Sequence, residues 1–229
     1  VTDPTGPPAA DYPAPPWRAR GVLWMTVLTA REAPELPADL SPVGGRRTLL
    51  LLLVRYTEGS LRYDEFAVGS LARRGRRVGL FCHRIWVDSP ASLRGGRRLW
   101  GIPKELARFS WDAETVRIRD GNGPVAALRL GPHGRARVPV LRAPSSGFGR
   151  IGGKRTFLCG QVSGRLGRGR LRVLDWHPPL PDLASPSPRC TLSISAARFV
   201  FPAGTRLGPA GSPAPTNPRP TNRRPKGST

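Results

Sequence analysis

The sequence predicts a mainly β (α+β) domain, closed into a barrel or packed as a sandwich. Eleven short segments are rich in Val, Leu, Ile, Thr and aromatic residues, and Gly- or Asn-containing turns such as Asp120-Gly121-Asn122-Gly123 separate several of them. Only one stretch carries a helix start. With 38% hydrophobic and 23% charged residues, the chain has enough apolar material to bury a sizeable core.

The first strand is expected over residues 22–29, a β-rich run after a proline stretch. Residues 48–56 are the strongest candidate, so continuously aliphatic that both faces of the strand should be covered. Residues 61–71 and 78–87 form a hairpin around Arg73-Arg74-Gly75-Arg76-Arg77. Ser89-Pro90 starts a helix, since serine caps free amides and proline suits the first helical position, and Gly95-Gly96 is expected to interrupt it. Further strands are expected over residues 108–111, 115–119, 125–130, 135–141, 156–162, 170–176 and 190–201, with a turn over 164–169. Six prolines lie in residues 1–16 and six in 208–229. The expected organisation is a disordered Pro-rich N-terminus over 1–15, one domain over 16–207 and a disordered basic tail over 208–229.

The chain carries 37 basic and 15 acidic side chains, a formal charge of +22. Such a charge invites a nucleic-acid reading, because Lys and Arg release counterions when they neutralise phosphates. The detail argues against a specific nucleic-acid partner: Lys104, Lys154 and Lys226 are the only lysines, and the arginine clusters at 73–77 and 94–98 lack interleaved stacking aromatics. These charges are expected to be solvated surface. The longest apolar run, residues 49–54, is far short of the roughly 20 residues that cross a bilayer, so no membrane association is expected. Three widely spaced cysteines and no secretory succession at the N-terminus predict a soluble protein of the cytoplasm.

Several catalytic patterns fail on context. Gly147-Phe148-Gly149-Arg150-Ile151-Gly152 has the letters of a dinucleotide fingerprint, but a strand-like run follows it instead of a helix, and it reads as a loop. His83, His133 and His177 lack partners at metal-ligand spacing, so no metal is expected. No G-x-S-x-G elbow supports a serine hydrolase.

Lys104 stands apart. A chain that uses arginine for nearly all its positive charge keeps a lysine here, and only lysine offers an amine that can lose its proton and attack a carbonyl. Holding that amine neutral at pH 7 costs about 4.6 kcal/mol, which desolvation or nearby cations must offset. Trp100, Ile102 and Leu106 are placed to desolvate it and Arg97 or Arg98 to repel its charge.

Around this lysine the chain resembles the acetoacetate decarboxylase superfamily. The matching elements are Tyr63-Asp64-Glu65, Val87-Asp88-Ser89-Pro90-Ala91-Ser92 and Gly96-Arg97-Arg98-Leu99-Trp100-Gly101-Ile102-Pro103-Lys104, in the family's order and spacing. The resemblance implies a cone-shaped β-barrel with a flanking sheet and a few short helices, self-association into a homo-oligomer, and no cofactor. It implies that Lys104 is a Schiff-base lysine and Glu65 the active-site carboxylate. Arg20, or less securely Arg18, matches the family's substrate arginine, and Trp100, Ile102 and Arg97 complete the expected substrate-binding set. The implied activity is a carbon-carbon lyase acting on a small keto acid, most simply by decarboxylating a β-keto acid. Two departures widen that expectation. Glu105 stands where the decarboxylases carry a second lysine, and the leucines of 49–53 stand where they carry a second carboxylate. Relatives with such replacements use the same lysine for aldol addition, dehydration or cyclisation, and a greasier pocket implies a larger or less charged substrate than acetoacetate. A noncatalytic small-molecule binder on this fold and a polyanion-binding protein are the alternatives from other classes.

Overall fold

A computed structural model describes residues 11–131 and 137–208. The long strands are β1 (Trp17–Thr29), β3 (Thr48–Gly59), β4 (Tyr63–Arg74), β5 (Arg77–Val87), β10 (Arg137–Ile151), β11 (Lys154–Arg168) and β13 (Cys190–Phe201). They pair in the order β4-β3-β1-β13-β11-β10-β5, and β5 pairs back onto β4, closing a seven-stranded barrel. The short strands β2 (Ser41–Pro42), β6 (Glu105–Leu106) and β14 (Thr205–Arg206) attach to β4, β5 and β11. A second sheet runs β12-β9-β8-β7, built from β7 (Arg108–Asp112), β8 (Thr115–Asp120), β9 (Gly123–Gly131) and β12 (Arg170–Trp176). Helix α1 spans Pro90–Gly95 and runs into one π-type turn, Gly96–Trp100. Among the described residues, no helix is long and apolar enough to cross a membrane.

The aliphatic run of β3 shows how the parts are held together. Side chains alternate across a strand, so Leu49, Leu51 and Leu53 point to one face and Leu50 and Leu52 to the other. The odd-numbered leucines are fully buried in the main core, where Trp24, Phe66 and Trp86 of the barrel wall meet Val116, Ile118, Val125 and Leu128 of the second sheet. The even-numbered leucines are only half-buried, although apolar, because they face a hollow inside the barrel. Only one face of β3 is thus fully covered, by the second sheet; the other, also expected to be covered, is left partly open as a wall of the hollow.

Sequence and structure differ at three glycine-rich places. Gly95-Gly96 does not interrupt the helical path: Gly96 keeps helical angles and the turn continues to Trp100. Residues 147–151, expected as a loop, are the end of β10, and the chain reverses at Gly152-Gly153, both at positive φ. The glycines of that motif serve packing: a Cβ on Gly149 would collide with the Trp100 carbonyl, and one on Gly147 would press on the Leu80 carbonyl. Residues 164–168 continue β11 instead of turning, with a register shift between Ser163 and Arg165. Residues 135 and 136 of the expected strand, His133, residues 1–10 and residues 209–229 lie outside the described residues. Near the start of the described residues, Tyr12 packs beside Trp17, and the Pro13 carbonyl accepts a hydrogen bond from Trp17 Nε1 at 2.7 Å.

Leu51→Ala should cost about 2–5 kcal/mol in urea unfolding, because it opens a cavity between barrel and sheet. Leu50→Ala, which only enlarges a hollow already present, should cost clearly less; equal losses would contradict the assignment of the two faces.

Candidate active site

The segment that carries Lys104 is shaped by local rules. Ser89 Oγ accepts the Ser92 N–H at 3.2 Å and Pro90 occupies the first helical turn, so α1 starts where a cap and a proline permit. The π-type turn ends at Gly101, whose φ of +69° is the left-handed conformation glycine tolerates, and whose missing side chain lets the Arg150 backbone approach. Trp100 is anchored by its indole N–H on the Pro202 carbonyl at 2.7 Å and by edge contact with Trp17. The chain then extends through Pro103, and β6 pairs parallel to the end of β5, which leaves the Lys104 side chain aimed into the barrel.

A cavity of about 270 Å³ fills the barrel interior, lined by residues of β1, β3, β4, β5, β10, β11 and β13 together with Trp100, Ile102 and Lys104. Lys104 is 3% exposed, and its Nζ donates to Glu65 Oε2 at 2.6 Å and to Ser92 Oγ at 3.0 Å. It also lies 3.5 Å from Tyr63 Oη and 5.2 Å from the Tyr63 ring centre. Tyr63 and Tyr56, their rings 4.5 Å apart, donate to the two Glu65 oxygens at 3.4 and 3.5 Å. Gly96 makes room for the amine's stem: a Cβ there would sit 2.6 Å from Lys104 Cδ.

The period of β4 sorts its motif. Tyr63 and Glu65 face the cavity, whereas Asp64 faces outward and accepts the Trp111 indole N–H at 2.6 Å, tying the barrel to the second sheet. Asp88 accepts the Asp64 backbone N–H at 2.8 Å, which fixes the approach to α1. Two parts of the shared motifs therefore hold the scaffold around the site.

The electrostatics differ from the sequence expectation. Burial pushes the Lys104 ammonium down, but the Glu65 carboxylate and the Tyr63 hydroxyl beside it more than reverse this, and the amine ends above the ordinary lysine value. Leu106 is 47% exposed and does not desolvate the amine, and Arg97 and Arg98 are exposed outside the barrel. Burial, reinforced by Glu65, also raises Tyr56 and lifts Tyr63 and the cavity-lining Cys82 thiol to about 12. All three are neutral near pH 7. The resting site is an ion pair surrounded by hydroxyls that keep their protons.

The structure gathers Lys104, Glu65, Trp100 and Ile102 at the cavity. Arg97 instead donates from Nε to the Lys104 carbonyl at 2.8 Å, holding the backbone from outside. Arg20 lies 3.6 Å from Glu58 on the outer face of the barrel, in a groove with Arg18, Arg142 and Arg198. Glu105 points away from Lys104, 3.6 Å from Arg84. Ser92, Tyr63 and Tyr56 join the pair as well, and the period-two spacing of Tyr63 and Glu65 is the sequence signal that sets those two on one face. His83 pairs with Ser70 Oγ at 2.8 Å, and burial lowers its pKa. Among the described residues, no three His, Cys, Asp or Glu side chains come together as a metal site.

Comparison with known proteins gives a consistent set of likenesses. The sequence profile of the family described as acetoacetate decarboxylase (ADC) matches residues 2–152. Acetoacetate decarboxylase 1 of Mesorhizobium japonicum is 28% identical over 127 residues, 53% of this chain and 48% of that protein. The chain thus spans about half the length of this curated relative. Among solved structures, the acetoacetate decarboxylase of Legionella pneumophila superposes with a TM-score of 0.66 at 16% identity, covering 90% of this chain and 93% of that one. The enduracididine biosynthesis enzyme MppR, complexed with pyruvate, gives 0.63 at 16% identity, covering 90% and 95%. At such identity these two likenesses establish the fold.

Glu65→Gln leaves the burial of Lys104 opposed by no carboxylate, so the amine's pKa should fall below the ordinary 10.5. Competitive acetylation of the protein against pH, read by peptide mass spectrometry with exposed Lys154 as internal reference, should show Lys104 reacting at lower pH in the variant. An unchanged profile would mean that Glu65 does not set the amine's charge.

Proposed function

Because the chain belongs to the acetoacetate decarboxylase family, we propose that it is a carbon-carbon lyase in which Lys104 forms a Schiff base with a ketone, its principal reaction being decarboxylation of a β-keto acid. The observation that supports this most is the Lys104 amine, 2.6 Å from the Glu65 carboxylate at a cavity walled largely by hydrocarbon. An amine needs a lone pair to attack. Here the proton need not reach bulk water: Glu65 is within hydrogen-bond reach to take it, and transfer inside the pair leaves two neutral groups without moving net charge into or out of the cavity.

The steps then balance. The Nζ lone pair adds to the carbonyl carbon while Glu65 gives the proton it took to the developing alkoxide; Glu65 then takes a second proton from the nitrogen of this adduct and delivers it to the carbinolamine hydroxyl, which leaves as water. The resulting iminium carries a positive charge beside the substrate's carboxylate. The electrons of the bond to the carboxylate carbon move into the iminium, releasing carbon dioxide and a neutral enamine. An apolar cavity favours this step, since a zwitterion becomes two uncharged molecules. Protonation at the α-carbon and addition of water free the ketone and restore the amine. Ser92, Tyr63 and Tyr56 serve as hydroxyl partners that keep the amine and carboxylate aligned.

A second reading uses the same iminium for aldol addition, dehydration or cyclisation. It is favoured by the cavity wall, where Glu65 is the only carboxylate among the described lining residues and Leu50 and Leu52 occupy the neighbouring strand. Product analysis with β-keto acids and with keto acid plus aldehyde separates the two.

Borohydride reduction in the presence of acetoacetate or pyruvate should leave a mass adduct on the peptide containing Lys104, and none in Lys104→Ala. Glu65→Gln should slow turnover by about a hundredfold or more, the scale of a lost general acid-base group. An adduct confined to another residue, or turnover retained by Lys104→Ala, would sink the proposal.

A further inference from the structure

The cavity extends well beyond what the Lys104–Glu65 pair needs. On β3 and β4 the register Val54↔Glu65 is followed by Leu52↔Ala67 and Leu50↔Gly69, and between β4 and β5 by Leu71↔Leu80. Leu50, Leu52, Leu71 and Leu80 all line the same cavity as Glu65. From Glu65 to Leu71 is about 20 Å of strand at the usual rise. The hollow therefore runs along the barrel away from the amine. Leu50 and Leu52 are half-buried while Leu49, Leu51 and Leu53 have no accessible surface, so the apolar area left uncovered inside the barrel is turned towards this space.

The chemistry of the arm is narrow. Beyond the pair and its two tyrosines, the polar side chains among its described lining residues are the neutral Cys82 thiol and Ser145 and Ser146 of β10, and Lys104 is the one cation among those described residues. A carboxylate or phosphate on the far side of the substrate would enter without a partner and lose its hydration. A hydrocarbon tail would instead cover the exposed leucine surface. A four-carbon keto acid leaves most of this wall untouched.

Resting on the Schiff-base reading above, we propose that this arm is a tail subsite, and that the substrate is a 3-oxo acid with a linear, uncharged hydrocarbon tail of several carbons. Leu52, one inward step along β3 from Val54, which pairs with Glu65, is the residue that sets how far the tail enters.

The test uses ketones such acids would yield, with levulinate as a control whose tail is charged. Wild-type protein is reduced with borohydride at graded concentrations of acetone, 2-heptanone and levulinate, and the Lys104 adduct is quantified by mass. Each buried methylene should improve half-saturation about fourfold, so 2-heptanone should trap at a concentration on the order of a hundredfold below acetone. Levulinate, which carries a carboxylate on its tail, should trap no better than acetone. Leu52→Trp should reduce the 2-heptanone-to-acetone ratio towards one, and the wild-type series decides the proposal whether or not that variant folds. Equal trapping of acetone and 2-heptanone, or levulinate matching 2-heptanone, would overturn the tail subsite and leave the Schiff base standing. Failure to trap any ketone would overturn the Schiff-base reading and this inference with it.

Discussion

Two opposite charges 2.6 Å apart, facing a cavity walled largely by hydrocarbon, set the terms for the surrounding structure. Taking two ions out of water costs several kcal/mol each, and replacing a buried pair by packed apolar residues is often neutral or stabilising by about 1–4 kcal/mol. Stability alone therefore gives little reason to keep Lys104 and Glu65 where leucine would pack. The pair is explained by what it can do: hold an amine in a dry place with a proton acceptor in contact. Removing either partner strands the other, which is why hydroxyls of Ser92, Tyr63 and Tyr56 are arranged around both.

The scaffold delivers the two charges from different directions. Glu65 arrives by strand periodicity, with Asp64 turned outward to the Trp111 indole. Lys104 arrives by a helical turn that must bend back without filling the space its own side chain needs. Gly96 meets that need by lacking a side chain beside the lysine stem, and Gly101 by adopting a positive φ under the Arg150 backbone. The second sheet closes the odd-numbered face of β3, leaving the even-numbered face free to wall a cavity.

Much of this was legible in the sequence. Alternation, turn residues and the Ser89-Pro90 start located the strands and α1, and the scarcity of lysine directed attention to Lys104. The family resemblance carried the barrel, and the closed strand order agrees with it. Glycine was the weak point, because it marks turns and close packing with the same letter: Gly149 looked like a loop residue and is a strand residue pressed on Trp100. The charge state of Lys104 was illegible for another reason. It depends on which of several nearby residues reaches the amine, and the carboxylate does while Arg97 stays outside on the backbone. Arg20 was placed by an alignment of letters, whereas its position opposite Arg198 on the outer face follows from strand register.

The most direct test of the central claim is exchange of deuterium into the α-carbons of a ketone in heavy water, followed by NMR. It asks the Lys104–Glu65 pair to form an iminium, lose an α-proton and return a deuteron, with no commitment to one overall reaction. The account predicts exchange well above background with wild-type protein, lost in Lys104→Ala and strongly slowed in Glu65→Gln. Exchange that survives replacement of Lys104 would contradict it.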